Sequence, residues 1–505
     1  MTNLSFNDEE HINVPAQEFK KTCLELHKQL NTPVAMLFAC DERRENGCFG
    51  LRCVFISQKQ KKWLVVYTQA RAESAFFDCL SKDIHSAILF EREIKEMFGI
   101  EASGAPDERR LRLHDEAWPG GNYPLRKDFQ KMQAGDLSDY EFGRVEGEGI
   151  FEVPVGPVHA GIIGPGHFRF SVAGEPIVNL EMRLGFSHRG AEKCFEGKDI
   201  SAVALSESVA GDTAFAHGFA FCHALEKIYS LDVPQRACYL RVLFLELERM
   251  YNHISGIGGI AVDVGFSFPA AQAAIIKEEL QRLNQRLTGS RFLKGVNTAG
   301  GVLKDIDAQA NKLVEEALDK IMQDFYDLRA ILNNSVSFMD RVDGTGVLKK
   351  KTAEDIGVTG LPARACGIHQ DLRRDFFVIY EKLKFKMAQE QAGDVLARLR
   401  VRFFEFEESA RLIREVLKHM PGGEICCLKP IQPKKGNALG YAEGWRGPVI
   451  YWVSTTEQGV IDRCKIVDAS FQNWQGLAYC VLGDIIPDFP VCNKSFDLSY
   501  PGGDL

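Results

Sequence analysis

Three stretches of the chain place apolar residues at alternating spacings of three and four, and this periodicity constrains the fold more than any other feature. Ile276, Leu280, Leu283 and Leu287 form the first stretch, and Val314, Leu318, Ile321, Phe325, Leu328 and Leu332 form the second. Leu396, Leu399, Phe403, Phe406, Ala410, Ile413 and Leu417 form the third, which runs into a helix stop at Pro421-Gly422-Gly423. Long helices with narrow apolar seams must bury those seams against one another, so a helical bundle is predicted. A fourth helix is predicted over Ala237 to Ser255, with Leu240, Leu243, Phe244, Leu247, Met250 and Ile254 as its apolar stripe. Glu246, Arg249 and His253 line a separate face of it, which reads first as a solvated surface carrying an ion pair.

The first 130 or so residues have a different texture. Val34 to Ala39, Leu51 to Ile56 and Trp63 to Tyr67 are short, β-rich runs, followed by a helical stretch around Ile84 to Phe98 and a Gly/Pro-containing segment to Pro124. A small α+β domain over residues 1–130 is expected, with a polar, glycine-containing linker over 131–150. The second domain, 151–505, is expected to be a mainly helical bundle with peripheral β segments, its last part from Tyr451 onward being strands and loops. The fold class is therefore α+β. A chain of 505 residues also exceeds what one hydrophobic core usually organises.

A net charge of -8 gives no basic footprint, which argues against nucleic acid as a partner. No run of 18 apolar residues and no secretory leader is visible, so a cytoplasmic, soluble chain is expected, one that docks on a membrane through partners. None of the 14 cysteines stands in C-x-x-C spacing, so neither zinc nor an iron–sulfur cluster is expected on this chain, and reduced, mostly buried thiols are.

Several long motifs carry a family resemblance. Phe90-Glu-Arg-Glu-Ile-Lys-Glu-Met-Phe-Gly-Ile, Pro106-Asp, Leu111-Arg-Leu and Tyr123-Pro-Leu-Arg-Lys-Asp-Phe resemble the 30 kDa subunit of complex I. Gly156-Pro-Val-His-Ala-Gly-Ile-Ile-Gly-Pro-Gly-His-Phe-Arg-Phe and Gly185-Phe-Ser-His-Arg-Gly-Ala-Glu-Lys resemble the large subunit of formate hydrogenlyase and, more distantly, the 49 kDa subunit of complex I. Leu245-Glu-Leu-Glu-Arg-Met-Tyr-Asn-His, Gly344-Thr-Gly, Arg364-Ala-Cys-Gly-Ile, Asp371-Leu-Arg-Arg and Gly393-Asp-Val-Leu-Ala-Arg continue the match in order. The chain thus resembles a fused 30 kDa/49 kDa-type subunit of the complex I and group 4 membrane-bound [NiFe]-hydrogenase superfamily.

The resemblance implies four thiolates around a nickel–iron pair, because soft sulfur ligands stabilise low-valent nickel and bridge it to iron. The matching positions here are Ala210, Thr213, Ser499 and Gly502, so no metal is expected. The sequence ends within this last segment, and maturation by cleavage is not expected either. The complex I branch implies a second use of the vacated cleft, for quinone, with His159, His167 and His217 as candidate cofactor-binding residues. Glu207 matches a proton-relay glutamate and Arg446 an arginine that overhangs the metal. With His167 and His188 they are the candidates for proton relay or for lining a polar cavity. Asp212, Thr213, Asp497, Ser499 and Asp504 are oxygen donors for a hard cation, the weakest of these readings. Gly161 to Gly166 reads as a turn, since Pro165 removes an amide donor and no strand-to-helix unit surrounds it. Direct NAD binding has no motif here.

The implied setting is a membrane-associated, hydrogenase-like or NADH-quinone oxidoreductase-like complex, on the cytoplasmic face of the inner membrane. A small iron–sulfur subunit, which carries the cluster, and antiporter-like or other membrane subunits are the implied partners. The alternative is a structural or coupling scaffold without chemistry of its own.

Overall fold

The computed structural model describes residues 8–160 and 163–505. In the N-terminal half, the strands Met36–Glu42, Cys48–Ser57 and Lys62–Arg71 pair antiparallel in sequence, and Glu9–Asn13 adds to the outer edge in parallel with Lys62–Arg71. Lys61 adopts a positive φ of 52° in the tight turn between the second and third of these strands. The helices Ala16–Leu30 and Ile88–Phe98 complete the unit, and Gly99 closes the second of them in the left-handed region.

The central strands are apolar on both sides because both faces are covered. The Ala16–Leu30 helix packs on one side. Across the other, Trp63 meets Tyr441 at 5.0 Å and Phe376 at 5.3 Å, and Phe38 meets Trp452 at 5.0 Å, all three partners belonging to the C-terminal half. Aromatic side chains of this size dominate the apolar area that such a contact buries.

The second half opens with an antiparallel sheet of Ile150–Val155, His167–Ala173 and Ile177–Arg183. The segment that joins its first two strands contains Gly161 and Ile162, which lie outside the described residues; the turn expected over Gly161 to Gly166 is described only from Ile163 on. Beyond it come the helices Ala214–Tyr229, Gln235–Asp263, Ser267–Thr288, Ala308–Asn334 and Val395–His419. The three predicted seams are buried, Ile276 through Leu283, Val314 through Leu332 and Leu396 through Ile413, with the terminal Leu287 and Leu417 half-buried. Gln235–Asp263 lies at the centre of the bundle, packed on Ser267–Thr288 and Val395–His419, and Ala308–Asn334 closes the outer side.

Two expectations are corrected. Glu246, Arg249 and His253 are not solvated; each is 0% exposed, because the Val395–His419 helix packs over that face. The segment after Tyr451 is not only strands and loops: Pro448–Thr455 and Ile461–Asp468 are followed by the helices Ala469–Cys480, Phe489–Phe496 and Tyr500–Asp504. Side-chain caps start two of them, Asp468 accepting from Ser470 N and Ser499 from Gly502 N. The strand Gly436–Glu443 heads this last sheet and lies directly on Ala214–Tyr229. A Cβ at Gly440 would come within 2.1 Å of Ala220 O, so only glycine permits the approach.

Charges seal the junction between the halves. Lys465, fully buried, bonds Glu93 of the N-terminal half and Glu192 at 3.0 Å. Arg463 holds Glu192 at 2.7 Å, and Arg112 holds Glu93 at 3.2 Å. At the opposite edge Lys227 pairs with Asp8 at 2.6 Å and Glu9 at 3.1 Å. Removing one partner of such a cluster leaves an uncompensated buried charge, so Lys465→Met is expected to lower unfolding stability by about 3–5 kcal/mol, measured by urea titration at neutral pH.

Candidate functional site

The two segments predicted to flank the metal position converge. Thr213 precedes the Ala214–Tyr229 helix, and Ser499 precedes Tyr500–Asp504. Arg446, at the turn between Gly436–Glu443 and Pro448–Thr455, bridges them. Its Nη1 and Nη2 donate to the Asp212 carboxylate at 2.9 and 2.6 Å, its Nη1 to Thr213 Oγ1 at 3.1 Å, and its Nε to the Asp497 carbonyl. The guanidinium stacks on Trp445, 3.9 Å from the ring centroid, whose Nε1 also donates to Thr213 Oγ1 at 3.1 Å.

A second bridge runs underneath. His217 lies one turn beyond Thr213 and bonds Asp468 Oδ2 through Nε2 at 3.2 Å and the Tyr451 hydroxyl through Nδ1 at 2.9 Å. Burial opposes the charge on Asp468, but the His217 bond and nearby Arg446 outweigh it and lower its pKa to about 2. Gly502 rests against the same carboxylate: a Cβ there would stand 2.9 Å from Asp468 Cγ. A third bridge is Arg189, whose guanidinium donates to the carbonyls of Ser208 and Val209 while its amide donates to Leu505 O at 2.8 Å. Ala210, Thr213, Ser499 and Gly502 therefore surround one buried, polar centre.

A nickel–iron pair does not fit this centre. Alanine and glycine offer no ligand, the Thr213 hydroxyl is taken up by Arg446 and Trp445, and the Ser499 hydroxyl caps Gly502 N. The space a longer side chain at position 502 would need holds Asp468. The oxygen donors considered for a hard cation are likewise engaged. Asp212 pairs with Arg446, Asp497 with Lys494, and Asp504 accepts from Gly185 N, Ser187 N and Ser187 Oγ.

The remaining candidates are dispersed. His188 joins the centre's rim, bonding Asp504 O through Nδ1 at 2.8 Å, and burial lowers its pKa. Glu207 is buried and accepts from Gly295 N at 3.0 Å; burial raises its pKa, and among the described residues no hydrogen bond or ion pair links it to Arg446. His159 and His167 clamp the base of the 156–166 segment, on Gly166 O at 2.8 Å and Gly156 O at 3.2 Å. The His167 ring faces Phe142 at 5.2 Å, and no described contact joins either histidine to His217. Arg446, His217 and His188 thus gather around the centre, whereas Glu207, His159 and His167 have their partners elsewhere.

Behind Trp445 lies a larger buried network that the motifs contained but whose role sequence reasoning missed. Four carboxylates, Glu246, Asp371, Glu405 and Glu443, interlock with Arg249, Arg364 and Arg373, each at most 1% exposed, and the equally buried Arg402 borders them, donating to Ser495 O at 2.9 Å. Arg364 reaches Glu405 at 2.8 Å, Glu443 at 2.9 Å and Asp371 at 3.3 Å. Arg373 grips Asp371, and Glu246 accepts from Arg249, Tyr380 and Ser409. His253 Nε2 bonds Glu405 at 2.9 Å and its ring stands edge-on to Trp445 at 6.2 Å. A cluster of Arg and Glu inside otherwise apolar elements is the one signal that could have exposed it.

Protonation within this network is divided by environment. Burial opposes ionisation of Glu405, but Arg364 and the His253 bond overcome it and hold its pKa well below the ordinary range. Burial lowers His253 to about 4, which leaves the ring neutral near pH 7. Burial, reinforced by Asp371, raises Glu443 to about 7 against the pull of Arg364 and Arg373. Because the folded state binds this proton more tightly than the unfolded one, Glu443 contributes most below its ordinary value of 4.5, and the contribution fades as pH rises through about 7. Glu443→Gln, which mimics the protonated form, is expected to flatten the loss of stability over that window, read from urea midpoints at several pH values. Gly502→Ala is expected to cost about 1–3 kcal/mol in the same assay, since either Asp468 or the Tyr500–Asp504 helix must shift.

Comparisons with known proteins agree with this geometry. Residues 12–134 match the respiratory-chain NADH dehydrogenase 30 kDa subunit family, and residues 263–432 match the 49 kDa subunit family. Formate hydrogenlyase subunit 5 of Escherichia coli K12 is 32% identical over 92% of this chain and 84% of its own length. Hydrogenase-4 component G of the same organism is 30% identical, covering 94% and 84%. Among solved structures, a chain from the membrane-bound sulfane sulfur reductase, an archaeal respiratory membrane complex, superposes with a TM-score of 0.67 at 26% identity, over 71% of this chain and 99% of that one. The chain belongs to the family of fused complex I 30 kDa/49 kDa-type subunits that includes formate hydrogenlyase subunit 5 and hydrogenase-4 component G.

Proposed function

We propose that the chain is a nickel-free core subunit of a membrane-associated redox complex of the hydrogenase or NADH-quinone oxidoreductase kind. In this reading it couples electron transfer in partner subunits to quinone reduction or ion translocation. The observation that carries it is the Arg446 bridge: four positions without thiolates surround one centre, and an arginine paired to Asp212 ties their segments together. A small iron–sulfur subunit supplies the redox centre, and membrane subunits hold the complex to the cytoplasmic face of the inner membrane. No described helix of this chain is long and apolar enough to cross a membrane, which fits attachment through those partners.

The chain's own part is to hold and move protons. His217, between Tyr451 and Asp468, presents both ring nitrogens to partners, so a proton on either nitrogen stays hydrogen-bonded. Glu443 is poised near neutrality and lies 2.9 Å from Arg364, so it gains or loses a proton in response to a nearby change of charge. Trp445 stands between the two groups, bonded to Thr213 on one side and edge-on to His253 on the other. A negative charge added in a neighbouring partner subunit would raise the proton affinity of Glu443 through the low-dielectric interior.

The closed packing at Arg446 also supports a second reading, a coupling scaffold with no proton chemistry. Purified complex separates the two. Nickel far below one equivalent is expected by elemental analysis. Arg446→Lys, which keeps the charge but loses the bidentate pair with Asp212, is expected to lower quinone-analogue reduction about tenfold with subunit composition intact. Wild-type turnover in Arg446→Lys, His217→Gln and Glu443→Gln, all normally assembled, would leave the scaffold.

A further inference from the structure

The linker between the two halves, residues 131–149, forms no helix or strand. Among these described residues only Tyr140 and Phe142 are half-buried, and the others are exposed. Their two rings meet edge-on with centroids 4.8 Å apart and turn toward one surface.

That surface is a face of the Ile150–Val155, His167–Ala173, Ile177–Arg183 sheet. His167 stands opposite Arg183 and Arg169 opposite Glu181, so the four side chains share it. Phe142 lies 5.2 Å from the His167 ring and 4.3 Å from the Arg169 guanidinium, and Tyr140 lies 4.4 Å from Arg183 and 5.4 Å from Arg109. Glu181 acts as the catch, accepting from the Tyr140 hydroxyl at 3.0 Å and from Gly143 N at 2.7 Å. Arg109 Nη1 holds the same carboxylate at 2.6 Å and also donates to Glu141 O at 3.2 Å.

The histidine beneath has one nitrogen to spare. Its Nδ1 donates to Gly156 O at 3.2 Å, which leaves Nε2 as the basic nitrogen of the neutral ring. Nε2 is shielded from solvent and has no hydrogen-bond partner among the described residues.

Stability is divided unequally across this contact. The His167–Ala173 strand is paired on both sides and buries Phe168, Phe170 and Val172 on its other face. The linker above it buries no side chain fully and keeps its backbone bonds at the surface. Segments of that kind open locally far more often than paired strands do.

We propose that residues 138–143 form a latch that opens while both halves stay folded, and that Phe142 is the lid whose departure exposes His167 Nε2. The latch is a property of the linker and the sheet, so it does not rest on the redox reading above. Access to His167 is set by the segment that joins the halves.

Diethylpyrocarbonate, which acylates an accessible unprotonated imidazole nitrogen, tests the latch on the full-length chain, with the exposed His419 as reference. Peptide mass spectrometry is expected to find His167 modified about tenfold more slowly than His419. Phe142→Ala is expected to raise the His167 rate about tenfold and to leave the His419 rate and the thermal transition unchanged. Tyr140→Phe, which removes only the bond to Glu181, is expected to raise it about threefold. By hydrogen exchange, the Gly143 amide is expected to exchange about a hundredfold faster than the amides of the His167–Ala173 strand. His167 as reactive as His419 in the wild-type chain, an unaltered His167 rate in Phe142→Ala, a lowered thermal transition in that variant, or Gly143 exchange as slow as that of the strand would each overturn the proposal.

Discussion

A charge taken out of water must find an opposite charge, and this requirement organises the interior more than apolar packing does. Glu246, Asp371, Glu405 and Glu443 have no route to solvent, so Arg249, Arg364 and Arg373 must converge on them from the Gln235–Asp263 helix and the short helices Gly360–Ala365 and Leu372–Phe376. Apolar seams allow a helix to rotate or slide by a fraction of a turn at modest cost. Interlocked guanidiniums and carboxylates do not, because each displaced pair exposes two unsatisfied ions to a low dielectric. The network therefore fixes the register of the bundle, and with it the position of Trp445 and Arg446.

That register also sets the shape of the centre around Arg446. Arg446 stacks on Trp445, and Trp445 is held edge-on to His253, itself bonded to Glu405. Its walls are held by Arg446, bonded to Asp212 and Thr213, and by His217, bonded to Asp468. Ionic contacts thus cross-link the segments before Ala214–Tyr229 and Tyr500–Asp504.

The sequence exposed the parts of this structure that depend on periodicity or on short range. Ile276, Val314 and Leu396 and their successors announced the bundle because one repeating spacing decides which face is buried. Arg446 and the four positions that the resemblance matches to thiolate ligands were legible as candidates because they sit in contiguous motifs. The Glu246–Arg249–His253 face was misjudged because spacing shows that charges share a face and not whether another helix covers it. Asp468 and Tyr451 were missed for a different reason: they meet His217 across more than 230 positions of chain, and no local pattern encodes that meeting. The short helix Tyr500–Asp504 hid behind a Pro-Gly-Gly sequence whose helical state rests on a cap from Ser499 and on burial.

The aromatic faces of Phe38 and Trp63 and the ions of Lys465 and Lys227 show that the two halves share one interior. Such a seam would be an obligate interface if the halves were separate polypeptides, and their assembly would then depend on how much of each was made. Covalent linkage through residues 131–149 removes that dilution penalty by tethering one partner within reach of the other, and it fixes their stoichiometry at synthesis.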